Sequence, residues 1–351
     1  MNPILYKLAK SFLFRLDPET AHTLTMKGLR AAERLRVLPL LMPPPVQDPV
    51  TVMGLRFPNR VGLAAGLDKE ANTAAALAQL GFGFVEVGTL TPRPQPGNPK
   101  PRLFRCIPQQ AIINHMGINN PGVDEGVQNI ADTRRAGKCP AILGVNISKN
   151  HDSPNSEARK DYLACMRAAW DVADYIAINF SCPNVPNLCD LAKADTAADL
   201  LSVLKSEQAN LATDTKRRVP LVMKVSPDMG EGQIHALAQV FREYQLDGLI
   251  CTNTTTTRAG VEEHPAAKES GGLSGKPLYN RANETLEAFA QELRGSGIPI
   301  IGVGGITCPE DAVQKIRAGA SLVQIYTGFI YHGPALVRGC AEAIRNECPV
   351  S

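Results

Sequence analysis

In the stretch Asn179-Phe-Ser-Cys-Pro-Asn184 a thiol, Cys182, stands between two asparagines just past the apolar run Tyr175-Ile-Ala-Ile178. A thiol of ordinary pKa, about 8.5, is a few per cent thiolate near neutrality. It can therefore take a proton where a serine hydroxyl would need far more help. Similar apolar runs end in Gly66-Leu-Asp-Lys69, Thr89, Asn146, Lys224, Thr252-Asn253-Thr254, Gly304-Gly305 and Tyr326-Thr327, and Asn114 lies in a loop between two of them. Asparagine offers donors and an acceptor without charge, which suits a planar ligand with amide-like edges. Each asparagine alone fits a turn equally well; several at strand ends point to one site. Lys224 sits inside Leu221-Val-Met-Lys-Val225, where an unpaired ammonium is costly. It is either half of a structural ion pair or the neighbour of a ligand that becomes anionic.

The elements that must carry these residues are rhythmic. Eight short apolar, β-branched runs occupy residues 61–65, 84–88, 141–147, 175–180, 221–225, 248–253, 298–304 and 322–326. Helical patterns lie between most of them, such as Lys69 to Leu80, Ala158 to Ala173 and Gly232 to Tyr244. Eight strand–helix alternations predict a (β/α)8 TIM barrel, whose strand C-termini share one mouth. An open doubly wound sheet is the competitor, but its glycine fingerprint after a first strand is missing. Glycine-rich segments at 271–275, 302–305 and 326–328 offer bare backbone N–H groups near the last strands, which predicts a phosphorylated ligand.

Ahead of the barrel, residues 1–44 predict a small helical hairpin and residues 45–351 the barrel itself. Asp17 reads as an N-cap and Pro18 as the first residue of the second helix. Ile4, Leu5, Leu8, Phe12 and Leu13 fall on one side of the first helix; Leu24, Leu29 and Leu35 continue along the second. Residues 2 to 36 carry Lys7, Lys10, Arg15, Lys27, Arg30, Arg34 and Arg36 against Asp17, Glu19 and Glu33. Such a hairpin either packs wholly on the barrel or lays an apolar face on an anionic membrane. Val50 to Phe57 reads as a small β-hairpin turning near Gly54.

Composition narrows the class. The 351 residues are 44% hydrophobic and 20% charged, with a formal charge of +3, which suits an ordinary globular protein and no nucleic-acid partner. The nine cysteines contain no CxxC pair, and the six histidines have no metal spacing. This argues for a reducing compartment and against a disulfide framework or metal site. Apart from Cys182, and with Cys189 left open, the cysteines read as small buried hydrophobes. No secretory signal and no membrane-spanning run is expected.

The segments LAAGLDK (63–69), GTLTPRPQPGNPKPRLFR (88–105), NHMGINNPG (114–122), INFSCPN (178–184), TNTT (252–255), GGLSGKPL (271–278), GVGGI (302–306) and LVQIYTGF (322–329) resemble the dihydroorotate dehydrogenase family. The resemblance covers nearly the whole chain, and DPETAH (17–22) is similar to the membrane-associated, quinone-reducing class 2. It implies FMN held by Ala64, Ala65, Gly66, Thr89, Asn146, Asn179, Lys224, Thr252, Gly275, Gly304, Gly305, Tyr326 and Thr327. It implies dihydroorotate, oxidised to orotate, held by Lys69, Asn114, His115, Met116, Gly117, Ile118, Asn179, Asn184, Asn253 and Thr254, and a quinone near His22 and Arg105. A base would take the C5 proton while the C6 hydride passes to FMN. A monomer on the cytoplasmic face of a bacterial inner membrane is the matching expectation. Cys182 is then the expected base, although class 2 usually has serine there and cysteine is more like the soluble class 1. His115 and Ile118 likewise replace an expected arginine and an aromatic residue. The alternatives are a class 1-like enzyme using fumarate or NAD, discriminated by the hairpin, and a non-redox barrel binding a phosphorylated ligand, discriminated by the absence of flavin colour.

Overall fold

The computed structural model describes residues 3–137, 139, 141–181, 183–184 and 188–349. Thirteen strands follow one another: β1 (Val50–Val52), β2 (Leu55–Phe57), β3 (Val61–Leu63), β4 (Phe84–Leu90), β5 (Leu103–Cys106), β6 (Ala111–Asn114), β7 (Ile142–Ile147), β8 (Tyr175–Asn179), β9 (Leu221–Val225), β10 (Gly248–Cys251), β11 (Gly272–Gly275), β12 (Ile300–Val303) and β13 (Leu322–Ile325). Eight of them close a parallel barrel in the order β10-β12-β13-β3-β4-β7-β8-β9. Each predicted apolar run supplies one barrel strand. Parallel barrel strands are covered on both faces, so their sequences read as unbroken apolar runs rather than alternations.

The barrel interior is filled, not hollow. Phe84 and Tyr175 project into it, and each needs a bare neighbour: a Cβ on Gly62 would lie 2.3 Å from the Phe84 ring, and one on Gly144 2.1 Å from the Tyr175 ring. The β1–β2 hairpin plugs the lower end, with Phe57 edge-on to Phe84 at 5.2 Å. Its two-residue turn has positive φ at Met53 (55°) and Gly54 (77°), the type I′ geometry that matches strand twist.

Helices flank the barrel, among them α1 (Pro3–Leu13), α2 (Pro18–Arg34) and α3 (Leu38–Leu41) at the N-terminus. The intervals Ala158 to Ala173 and Gly232 to Tyr244 contain helices Ala158–Ala169 and Glu231–Glu243, but Lys69 to Leu80 yields only Ala74–Ala78. There the Asp68 carboxylate accepts from the N–H groups of Asn72 and Thr73. That turn uses up the donors a longer helix would need.

Asp17 caps α2 as expected, accepting from Glu19 N and Thr20 N at 3.1 and 2.9 Å. The hairpin packs on the barrel along part of its length. Tyr6 donates to Phe329 O and Ile330 O, Phe14 packs edge-on against Tyr331 at 5.4 Å, and Glu19 pairs with Arg102. Leu8, Phe12, Leu24, Leu35, Leu40 and Leu41 nevertheless stay exposed, Leu40 to 84%.

Asn114, read as a loop residue, instead ends β6, which pairs antiparallel with β5 and with β11 in a three-stranded sheet outside the barrel. Gly272 pairs with Asn114, a contact across 158 residues that no local pattern announces.

Candidate active site

The strand C-termini converge on one concave cavity, the usual form of a small-molecule site. Of the expected site residues, Ala64, Ala65, Gly66, Lys69, Thr89, Asn114, Met116, Ile118, Asn146, Asn179, Asn184, Lys224, Thr252, Asn253, Thr254, Gly275, Gly304, Gly305, Tyr326 and Thr327 line it. His115 and Gly117 do not. His115 N donates to Arg102 O, and Gly117, at φ 74°, abuts Asn98 so closely that a Cβ would lie 2.7 Å away. They shape the back of the loop that presents Met116 and Ile118.

The polar floor is a directed chain. Thr254 N donates to Asn253 Oδ1 (2.9 Å), Asn253 Nδ2 to Asn179 Oδ1 (3.2 Å), Asn179 Nδ2 to Thr89 Oγ1 (3.3 Å), and Thr89 Oγ1 to Asn146 Oδ1 (2.6 Å). Asn179 is further fixed through its carbonyl, which accepts from Ser148 Oγ and Tyr162 OH. Nearer the mouth, Asn184 Nδ2 donates to Asn114 Oδ1 at 2.7 Å, and Asn114 Nδ2 to Gly272 O.

Two lysines reach the cavity by different routes. Lys224 is 7% exposed on β9, and among the described residues no carboxylate pairs with it. Lys69 donates to Gly66 O at 2.5 Å, and burial lowers its pKa to about 8. Burial also pushes the neighbouring Asp68 carboxyl up to about 6, against the two N–H groups it accepts.

Cys182 lies outside the described residues, as do Val185, Pro186 and Asn187. Of the described residues that flank it in sequence, Ser181 is buried and its Oγ donates to Lys224 O, while Asn184 lines the cavity. Of the remaining thiols, Cys106, Cys165, Cys251 and Cys340 are buried, Cys139, Cys308 and Cys348 partly so, and Cys189 is exposed. Burial pushes the Cys165 and Cys251 thiols well up, which keeps them inert.

His22 and Arg105 occupy separate surroundings. His22 lines a polar groove under α2 that meets the central cavity at Lys69, Met116 and Asn119. Burial, then the charge of Lys69, depresses its pKa to about 3. Arg105 instead clasps the end of α1, donating to Phe14 O and Leu16 O.

Sequence reading missed Asn119, Ser274 and Gln324, all of which line the cavity. Gln324 had the same signal as Lys224, a polar residue at an inward position of an apolar strand. Its Oε1, with Asn119 Oδ1 and Asn184 Oδ1, is buried without a partner. Unsatisfied buried acceptors are uncommon, and all three belong to residues that line the cavity. Ser274 Oγ and Thr327 Oγ1 lie 2.8 Å apart beside Gly275 and Gly304, whose φ values of 99° and 107° bare the backbone. Among the described residues no cluster of His, Cys, Asp and Glu could hold a metal ion, and no helix is long and apolar enough to cross a membrane.

Fold and site together define a (β/α)8 barrel that handles a small ligand at its strand C-termini. The dihydroorotate dehydrogenase family model matches residues 49–347. The chain is 62% identical over 350 residues to the dihydroorotate dehydrogenase (quinone) of Akkermansia muciniphila, covering 100% of this chain and 99% of that one. It is 51% identical over 340 residues to that of Teredinibacter turnerae, covering 97% and 99%. Among solved structures, ligand-free DHODH from Eimeria tenella superposes with a TM-score of 0.85 at 36% identity, covering 94% of this chain and 96% of that one. Its ferulenol complex also gives 0.85, at 35% identity, covering 94% and 91%. The chain belongs to the dihydroorotate dehydrogenase family.

Proposed function

We propose that this protein oxidises (S)-dihydroorotate to orotate in de novo pyrimidine biosynthesis, with FMN as cofactor and a quinone as electron acceptor. The observation that carries the reading is the cavity floor: uncharged amides and two lysines around unsatisfied acceptors, edged by bare glycine backbone. That donor set fits a flavin nucleotide and a small planar acid together. The relatives of 62% and 51% identity bear the quinone-type name, which supports quinone over fumarate or NAD.

FMN would be held by Ala64 to Gly66, Thr89, Asn146, Lys224 and Thr252, with its phosphate on Gly275, Gly304, Gly305, Tyr326 and Thr327; when bound it supplies a two-electron acceptor for the C6 hydride. The remaining roles fall to this chain. Lys69 holds the substrate carboxylate, and Asn114, Asn179, Asn184, Asn253 and Thr254 bind its ring amides. Cys182 takes the C5 proton. Lys224 keeps a positive charge where negative charge develops, which costs no reorganisation at the moment of reaction.

The exposed apolar row of the hairpin, with Lys7 and Arg15 nearby, supports a peripheral position on a membrane surface, taken here as the cytoplasmic face of a bacterial inner membrane, and access for a lipid-soluble quinone. A monomer suffices for this arrangement. The test is spectroscopic: purified protein should be yellow, lose its flavin absorbance on anaerobic addition of dihydroorotate, and regain it with a quinone far faster than with fumarate or NAD. Colourless protein, or reoxidation that favours fumarate or NAD, refutes the reading.

A further inference from the structure

Glu86 is fully buried at the centre of the barrel, outside the cavity lining, on the inward face of β4. Both carboxylate oxygens act as acceptors. Asn146 Nδ2 donates to Oε1 at 2.8 Å, while Tyr175 OH and Gln324 Nε2 donate to Oε2 at 2.9 and 2.8 Å. A carboxyl in apolar surroundings is costly unless its oxygens are satisfied, so its presence needs a reason.

The reason lies in direction. An asparagine or glutamine side chain can turn its amide either way, and the choice follows its partners. Glu86 claims the NH₂ group of Asn146, so Asn146 Oδ1 must face the cavity and accept from Thr89 Oγ1. Thr89 Oγ1, having given its proton, accepts from Asn179 Nδ2, and Asn179 Oδ1 accepts from Asn253 Nδ2. Every donor in the chain points towards Glu86. On β13, one strand beyond β3, Glu86 also claims the Gln324 NH₂ group, which leaves Gln324 Oε1 as the buried, unpartnered acceptor at the cavity.

We infer that Glu86 is a positioning residue that sets the donor direction of the Asn146–Thr89–Asn179–Asn253 chain and turns the Gln324 carbonyl oxygen towards an N–H or O–H of the cofactor. This rests on the reading that FMN occupies the cavity. Replacing the carboxylate by an isosteric amide puts an NH₂ group against one of the three donors. Asn146 or Gln324 must then flip, and the chain loses its single direction.

The experiment follows release of FMN from diluted holoenzyme by flavin fluorescence, together with the bound flavin's visible spectrum, for wild type, Glu86→Gln, Gln324→Met and Tyr175→Phe. Glu86→Gln and Gln324→Met should each weaken FMN binding about tenfold, as expected for a broken buried hydrogen bond, and displace the visible absorption maximum. Tyr175→Phe removes one donor to Glu86 and the longer 3.4 Å acceptor of Gln324 Nε2, but leaves the 2.8 Å bond from Gln324 Nε2 to Glu86 and the Asn146–Thr89–Asn179–Asn253 chain in place, and should leave both readouts at wild-type values. If Glu86→Gln does not fold, Gln324→Met decides alone. Unchanged binding and spectrum in the folded variants, or an equal loss in Tyr175→Phe, overturns the inference. Wild-type protein that takes up no FMN overturns the cofactor reading itself, and this inference with it.

Discussion

The Arg105 guanidinium donates to the carbonyl of Phe14 at 3.1 Å and lies 4.7 Å from the centre of that residue's own ring. Arg105 also donates to Leu16 O, so one side chain ends α1 and ties the hairpin to β5. A residue expected to serve the quinone is thus also the clasp of the element proposed to admit it. Arg105→Met should raise the apparent KM for quinone severalfold, since about 1–3 kcal/mol of charge-assisted hydrogen bonding is lost, while anaerobic flavin reduction by dihydroorotate keeps its rate. Equal damage to both half-reactions would place Arg105 in the barrel chemistry instead.

Cys182 carries the proposed proton abstraction. Cys182→Ala should slow flavin reduction by about 10²–10⁴, the usual share of a positioned base, and orotate should protect the wild-type thiol from alkylation. Cys182→Ser should retain activity that climbs to higher pH than wild type, because a hydroxyl is the weaker acid. Parental rates in the alanine variant would move the base elsewhere.

Lys69 should limit the reaction on the alkaline side. Burial lowers its pKa to about 8, so the ammonium that attracts the substrate carboxylate is present below about pH 8 and lost above it. The pH profile of kcat/KM, which reports the free enzyme, should therefore fall above about pH 8. Lys69→Met should abolish that limb and raise KM; a limb that persists in the variant belongs to another group.

His22 bears on acid stability. Its folded-state pKa is depressed from 6.5 to about 3, by burial first and the Lys69 charge second. Between those values the unfolded chain holds a proton that the folded chain lacks, so stability is full above about pH 6.5 and declines as pH falls towards 3. His22→Gln should flatten the dependence of Tm on pH in that window. The same slope in the variant would mean that other groups carry it.

The bare apolar row of the hairpin should meet lipid. Leu8→Glu with Phe12→Glu, at positions 65% and 58% exposed, should abolish co-sedimentation with vesicles containing anionic lipid and weaken reduction of a long-tailed quinone. Reduction of a short, water-soluble quinone should be spared. Vesicle binding equal to wild type would assign these residues to another surface.

Some of this protein is local and therefore written in the chain. The barrel strands read directly because strands covered on both faces must be apolar throughout, and their ends named most of the cavity. Asp17 capped its helix as read, because a cap needs only neighbours three residues apart. The pairing of β11 with β6 was not legible, since Gly272 meets Asn114 only after the barrel has closed around them. Nor was Glu86, which in Phe-Val-Glu-Val-Gly looks like one charge in a strand. Its meaning depends on Asn146, Tyr175 and Gln324 arriving from three other strands. Residue identity by itself determined which polar groups stand at the barrel mouth. Tertiary structure alone decided which way their hydrogen bonds run, because an amide has no direction until its partners impose one.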